Sequence, residues 1–480
     1  MANIVRRMAE GSSRLVERFL PEAFLFAIIL TFVAYGLAFV FVEAQASMFV
    51  HARAILREGW YGGFWNLLSF AMQMTLILMT GYALAQTSVV DALLSRLATI
   101  PSSERSAAAL VPVVAATASF LHWGLGLVVG GIFARKVAQE VRGIDFPIVV
   151  AGAYSGFIVW HGGLAGSIPL VLNSSADNGN FLLEAGVLDT TIGTAATIFT
   201  PMNLVLFAVV SFLFLPALFA LMYPERESKK TPIDPAELDT AADGGKTPSA
   251  TTAATTSEMT VADRIEQSTT LATFVGLAGL VAVTLYFLNG VANGVMPWNN
   301  LNLNIVNFGF LFLGLLLHGS AAAYIEVIKE AVENVWGIIL QFPFYAGIMG
   351  IMAYAPEGST SLATQIAQGM VQLSPEGFFL PAIAFLTAGI VNVFVPSGGG
   401  EWAVIGETLV TAAKASGTSV PRVAMAAAWG DAWTNMIQPF WAIPLLAISG
   451  LSVRDIMGYC VLVLFGVGGL VLVAVTFLPM

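Results

Sequence analysis

The chain has 480 residues, of which 57% are hydrophobic and 10% charged, against roughly 25% charged in an ordinary soluble domain. That balance, with a mean hydropathy of +0.81, excludes a soluble globular protein, a disordered chain and a collagen-like repeat, and leaves an integral membrane protein. The single cysteine, Cys460, excludes an intrachain disulfide, and the net charge of −10 draws nine of its thirty acids from one stretch, Glu225–Glu266, with no basic patch for nucleic acid.

Residues 1–19 carry Arg6, Arg7, Arg14 and Arg18 and read as a cytoplasmic segment. Apolar runs long enough to span follow at about 22–42, 60–86, 147–170 and 195–222. Residues 224–268, rich in Thr, Ala, Asp and Pro and without apolar periodicity, read as a flexible cytoplasmic linker. Beyond it, spans fall at about 270–288, 303–318, 335–355, 422–449 and 456–478. Two more apolar segments, about 107–134 and 377–410, are broken in the middle by glycine-rich polar clusters, His122-Trp123-Gly124-Leu125-Gly126 and Pro396-Ser397-Gly398-Gly399-Gly400-Glu401. Each reads as a re-entrant hairpin of two half-length helices, since irregular backbone survives at membrane depth only when enclosed by protein or facing water. Amphipathic stretches at 88–100 and 359–373 precede the hairpins and fit supporting arms or plain surface helices.

Positive charge tests this layout. With the N-terminus inside and each hairpin returning to its own side, 16 of the 20 Lys and Arg residues fall inside, leaving Arg53, Arg57, Lys414 and Arg422 outside. Nine spans and two hairpins then place the C-terminus outside.

The linker divides the chain into similar halves, 20–223 and 269–480, which share a weak repeat. Ala153, Ile168-Pro169-Leu170, Gly124, Val129 and Gly131 recur as Ala428, Ile443-Pro444-Leu445, Gly399, Val404 and Gly406, at a constant offset of 275. The charge count orients the two copies oppositely. The expected fold class is therefore an all-α integral membrane protein of two inverted-topology repeats, the architecture of a secondary transporter with a midplane site.

No predicted span carries Lys or Arg at its centre, so an anion would meet neutral donors: tip amides, helix N-termini, hydroxyls and side-chain amides. His122, Trp123 and Gly124 at the first tip, and Ser397, Gly398, Gly399 and Gly400 at the second, are candidate substrate contacts. So are His161, Gly162, Gly163 and Ser167 at the break of the fourth apolar segment. Both histidines fit either a proton carrier or a neutral ring that satisfies broken-helix carbonyls. Asp431, Thr434, Asn435 and Gln438 stand at i, i+3, i+4 and i+7, one face of a helix. They suit a cation, proton or substrate site, or a polar seam between helices. Glu401 either faces the cavity or complements the start of its helix. No HExxH, paired Cys/His spacing, P-loop or G-x-S-x-G occurs, so neither an enzyme nor a metal or cofactor site is expected.

Together, His122-Trp123-Gly124-Leu125-Gly126-Leu127, His161-Gly162-Gly163-Leu164-Ala165-Gly166-Ser167-Ile168-Pro169-Leu170 and Pro396-Ser397-Gly398-Gly399-Gly400-Glu401-Trp402-Ala403-Val404 resemble the short-chain fatty acid transporter family over nearly the whole chain outside the linker. The resemblance implies uptake of short monocarboxylates such as butyrate or acetoacetate across a prokaryotic cytoplasmic membrane. It also implies membership of a wider ion-transporter superfamily whose better-known members, the dicarboxylate/sodium symporters, are dimers with a scaffold and an elevator-like transport subdomain, and so a homodimer is expected. Those members bind sodium at tips carrying Ser-Asn-Thr, which neither tip here has, and the family often has Asn where His122 stands. Proton symport through His122, His161, Glu401 or Asp431 is the expected coupling. The open alternatives are a superfamily carrier for a dicarboxylate, an amino-acid derivative or sodium/proton exchange, and a passive anion channel.

Overall fold

The computed structural model describes residues 2–19, 21–44, 47–176, 180–225, 230–233, 260–300, 302–332, 335–373 and 377–480, and regular structure among them is helical throughout. Most of the linker, residues 226–229 and 234–259, lies outside the described residues. The N-terminal segment is an amphipathic helix, α1 (Ala2–Phe19). Then come α2 (Ala23–Phe41), α3 (Met48–Ala54), which runs on through a wider-wound stretch Ile55–Tyr61, α4 (Leu68–Ala85) and α5 (Ser88–Ala98). Eight helices among the described residues are long and apolar enough to cross a membrane.

The first broken segment forms α6 (Glu104–Leu121) and α7 (Trp123–Glu140). One residue, His122, is extended between them (φ −159°, ψ 126°) and reverses the chain. Its Nδ1 accepts the Gly124 N–H at 3.2 Å, capping α7. The arms close tightly because a Cβ at Gly126 would lie 1.9 Å from Ser119 Oγ. At the other end the feet meet: a Cβ at Gly143 would lie 3.9 Å from Glu104 Oε1. Each arm has 18 residues, about 27 Å at 1.5 Å per residue. The hairpin therefore runs longer than the expected 107–134, and its arms exceed half-length, because the polar feet continue the helices past the apolar run.

The first broken helix is α8 (Phe146–Ser155), a tighter 3-10 stretch Gly156–Gly162, and α9 (Ser167–Asn173). A span of α10 (Pro201–Val209) and α11 (Leu215–Met222), joined by Val210–Phe214, ends the first half. The second half holds α12 (Thr269–Ala292), α13 (Leu303–His318), an amphipathic α14 (Ala321–Val332), α15 (Trp336–Ala353) and α16 (Leu362–Val371). Its hairpin is α17 (Leu380–Asn392) and α18 (Gly398–Ser416), again somewhat longer than expected. Ser397 (φ −146°, ψ 106°) caps α18 by accepting the Gly400 N–H, and the feet are tied by Thr418 Oγ1 donating to the Gly377 carbonyl at 3.1 Å. The second broken helix is α19 (Val420–Thr434) and α20 (Ala442–Ser449), and α21 (Val453–Phe477) closes the chain.

The 275-residue offset reappears in the backbone. The extended tip residues His122 and Ser397, the starts of α7 and α18, and the starts of α9 and α20 all stand 275 apart. The hairpins enter from opposite ends of the bundle. Glu104 at the first pair of feet accepts from Lys230 (2.6 Å) and Tyr223 (3.0 Å), whereas Lys414 at the second pair meets Asp189 (3.0 Å). Residues 189 and 223 flank the membrane-length α10–α11 span and so lie at opposite ends.

The helices pack as two groups. One contains α2 to α4 and α12 to α15; the other contains both hairpins, both broken helices, α10, α11, α21 and α1. The groups meet where small residues let helices slide close, as at Gly81 against Val128 and Gly337 against Ile443.

Candidate functional site

The tips and breaks converge inside the second group. The 3-10 stretch places His161, and the last turns of α19 place Asp431; both side chains are fully enclosed. His161 Nε2 accepts the Ile168 N–H at 3.0 Å, so the ring proton sits on Nδ1 and is donated to Asp431 Oδ2 at 2.7 Å. This ties the break of one repeat to the broken helix of the other. The second tip crosses the same point, since a Cβ at Gly398 would lie 2.3 Å from His161 Cε1. Gly399 faces Ser167 at the start of α9, 3.9 Å from its Cβ by the same measure. Ser167, Ser397, Gly399 and Gly400 are half-buried, so this crossing is the less enclosed side of the site.

One turn into α18, Glu401 is also fully enclosed and neighbours Asp431. Neither Glu401 oxygen, nor Asp431 Oδ1, meets a donor. Two adjacent buried carboxylates beside a neutral imidazole would carry a charge that the interior tolerates poorly. A proton held between them supplies a missing donor and halves that charge; a monovalent cation does the second. Among the described residues, no group of three His, Cys, Asp or Glu side chains is arranged to hold a metal ion.

A second polar layer lies beside the first. Asn392, at the end of α17, donates to Thr434 Oγ1 and to Asn435 Oδ1, each at 2.9 Å. Asn392 Oδ1 and Asn435 Nδ2 remain without partners although both residues are enclosed. Tyr154 donates to the Asn435 carbonyl at 2.7 Å. Asn203 in α10 bridges the Gly162 carbonyl (2.8 Å) and the Trp429 Nε1–H (2.8 Å), clamping the first break to α19.

The four-residue polar face on one helix does not form as expected. Regular helix ends at Thr434; one more turn follows, the Gln438 N–H bonding the Thr434 carbonyl at 3.1 Å, and Pro439, which has no N–H, does not continue it. Gln438 instead turns back, its Oε1 accepting the Phe440 N–H at 2.6 Å. Gly162 and Gly163 serve close packing: a Cβ would lie 2.6 Å from Asn203 Oδ1 and 2.4 Å from the Phe120 carbonyl, respectively. His122, Trp123 and Gly124 form the first tip and join the site through aromatic rings. Trp123 packs on Trp441 (4.9 Å between ring centroids) and, more loosely, on Trp160 (6.4 Å), which stacks on His161 (4.2 Å). Asn392, Asn203, Tyr154, Trp160 and Trp441 were not singled out by spacing. The signal available for Asn392 and Asn203 was an amide inside an apolar run.

A family model described as short chain fatty acid transporter matches residues 4–478. A protein of Escherichia coli K12 is 35% identical over 98% of this chain and 100% of its own length. One of Haemophilus influenzae is 34% identical over 99% of this chain and 100% of its own length. Both are described provisionally as short-chain fatty acid transporters. Among solved structures, the YdaH transporter of Alcanivorax borkumensis aligns at 15% identity and a TM-score of 0.44, covering 95% of this chain and 97% of that one. MtrF of Neisseria gonorrhoeae, presented with a class of antimetabolite efflux pumps, aligns at 15% and 0.38, covering 96% and 97%.

Proposed function

Given that the chain belongs to the short-chain fatty acid transporter family and is thus a membrane transporter, we propose that it takes up short monocarboxylates such as butyrate by proton symport. The observation that carries the coupling is the enclosed Glu401–Asp431 carboxyl pair, set where the second tip meets both broken helices and lacking any hydrogen-bond donor between its members. In this reading the pair takes up one proton per cycle. His161 positions Asp431 through the Nδ1–H bond and orients the carboxylate toward Glu401. His122 is spent as the cap of α7 on its Nδ1 side.

The substrate carboxylate would meet the first-turn amides of α18 at Gly398 and Gly399, which neither the helix nor the Ser397 cap satisfies, together with Ser397 and Ser167. The tail would lie against the Trp123, Trp160 and Trp441 rings. The absence of a central Lys or Arg disfavours a dianion. The hairpin-bearing group would move against the other as an elevator, across a cytoplasmic membrane with the N-terminus inside.

A second coupling ion has a specific observation behind it. Asp431 Oδ1, both Glu401 oxygens and Asn392 Oδ1 are all acceptors without donors, the ligand type a hard cation such as sodium prefers. Labelled butyrate uptake into proteoliposomes under an imposed proton or sodium gradient separates the two. Accumulation on protons alone supports symport through the carboxyl pair. Accumulation on sodium alone reassigns the pair to sodium. No uptake under either gradient by folded protein overturns butyrate as substrate.

A further inference from the structure

A crevice of about 330 Å³ opens between the two helix groups. One wall is the start of α2 and of α15, with Glu22, Trp336 and Gln341; the other is α20 and the start of α21, with Ile443, Ala447 and Val453. It lies at the basic end of the molecule. Arg454 pairs with Glu22 across the gap between the walls at 3.6 Å, Arg135 donates to the Ile448 carbonyl at the end of α20, and Ser13 of α1 packs on Gly458. By the positive-inside rule that end faces the cytoplasm.

Gln341 lines this crevice yet is 4% exposed, and its Oε1 has no partner. One helical turn deeper on the same face of α15 stands Tyr345, whose ring packs on Phe440 (5.0 Å) beside Gln438. The Tyr345 hydroxyl and Gln438 Nε2 are enclosed too; they face each other and meet no other partner. A further turn on, Met349 lies against the second tip, where a Cβ on Gly400 would meet its Cε at 2.6 Å. One face of α15 thus runs from the crevice to the candidate site. The Tyr345 hydroxyl can donate to, and accept from, a carboxyl group, and the Gln341 side-chain amide can donate to one. Such groups are costly at membrane depth unless something passes that uses them.

We propose that this crevice is the cytoplasmic exit for the carboxylate substrate, with Gln341, Tyr345 and Gln438 as successive contacts on the way from the site. The Glu22–Arg454 pair bridges the fixed and moving walls at its mouth. The inference rests on the transport reading above.

The test uses the full chain in membrane vesicles of both orientations, with Cys460→Ser as background and three single-cysteine variants, Gln341→Cys, Ala447→Cys and Lys414→Cys. The probe is a membrane-impermeant thiol reagent. Expected is labelling of Gln341→Cys and Ala447→Cys only in inside-out vesicles, slowed several-fold by butyrate, while Lys414→Cys labels only in right-side-out vesicles. If Gln341→Cys misfolds, Ala447→Cys carries the test. No labelling from the inside, or labelling from the same side as Lys414→Cys, overturns the path. Inside labelling that butyrate fails to slow, in protein that takes up butyrate, also overturns it. If the background protein takes up no butyrate, the failure belongs to the substrate reading, and inside-only labelling alone then decides the path.

Discussion

His161 Nδ1 donates to Asp431 Oδ2 over 2.7 Å, joining two breaks 270 residues apart in a fully enclosed position. The bond sets the imidazole tautomer only because the Ile168 N–H occupies the other nitrogen. Replacing His161 by Phe keeps a flat ring but strands two enclosed polar groups, Asp431 Oδ2 and the Ile168 N–H. An unsatisfied buried partner costs about 1–3 kcal/mol, and here two are left. We expect His161→Phe to lower the thermal unfolding temperature of the detergent-solubilised protein clearly, and His161→Asn, which can still donate and accept, to recover part of the loss. Equal melting of wild type and His161→Phe would refute a structural tie.

The carboxyl pair makes a separate prediction about coupling. Glu401→Gln keeps the shape of the protonated side chain and removes its titration, so the pair no longer takes up and releases a proton. Proton-driven butyrate accumulation should fall at least tenfold, roughly 1.4 kcal/mol of driving free energy. Exchange of internal for external butyrate, which needs no net proton movement, should persist. Asp431→Asn should behave alike, with an added loss of stability because the His161 Nδ1–H loses its carboxyl acceptor. Full accumulation by Glu401→Gln would remove that residue from the coupling step.

Much of this arrangement was legible because membrane and repeat signals are local or periodic. The apolar runs exposed most candidate spans, and the glycine-rich clusters fall where the helices break, at the extended residues His122 and Ser397, whose spacing equals the offset between Gly124 and Gly399. Contacts between distant segments left no such mark. Nothing in the spacing of Glu401 and Asp431 shows that a hairpin arm and a broken helix meet there. Asn392 looked like an ordinary member of an apolar run, although it holds Thr434 and Asn435 in place. The helical face stops short of Gln438, since the i+7 spacing needs a continuous helix and this one ends at Thr434, ahead of Pro439.

At the basic end, Glu225 links two helices by pairing with Arg6 of α1 (2.7 Å) and Arg105 of α6 (2.9 Å). The hydrogen bond from Arg105, followed by that from Arg6, holds its carboxyl below the ordinary value of 4.5. The folded form therefore favours the ionised state. The stabilisation is fully present above the unfolded value and is lost as the pH falls through the folded one. The pair is exposed and salt-sensitive, so the effect is modest. Amide hydrogen exchange of α1 should quicken as the pH drops below about 4.5, after correction for intrinsic rates, while Glu225→Gln flattens that dependence. An unchanged pH profile in Glu225→Gln would show that Glu225 does not govern the docking of α1, which also packs on α21 and bonds through Arg6 to the Tyr223 carbonyl.

The second tip separates two neighbouring glycines that look equivalent in sequence. A Cβ at Gly398 would sit 2.3 Å from His161 Cε1, closer than real side chains approach, whereas one at Gly399 would sit 3.9 Å from Ser167, in ordinary contact. Alanine is also a better helix former than glycine by about 1 kcal/mol, which favours Gly399→Ala at the start of α18. Gly398→Ala should push the imidazole off the Asp431 bond and abolish uptake while the protein remains inserted and folded. Gly399→Ala should keep most of its stability, and any loss of butyrate affinity in it reports the approach of substrate to the tip backbone. The measurement is uptake KM against maximal rate for both variants, beside their melting temperatures. Equal loss of maximal rate in the two would mean that the tip needs flexible backbone as such, and that the fit against His161 is not what selects glycine at position 398.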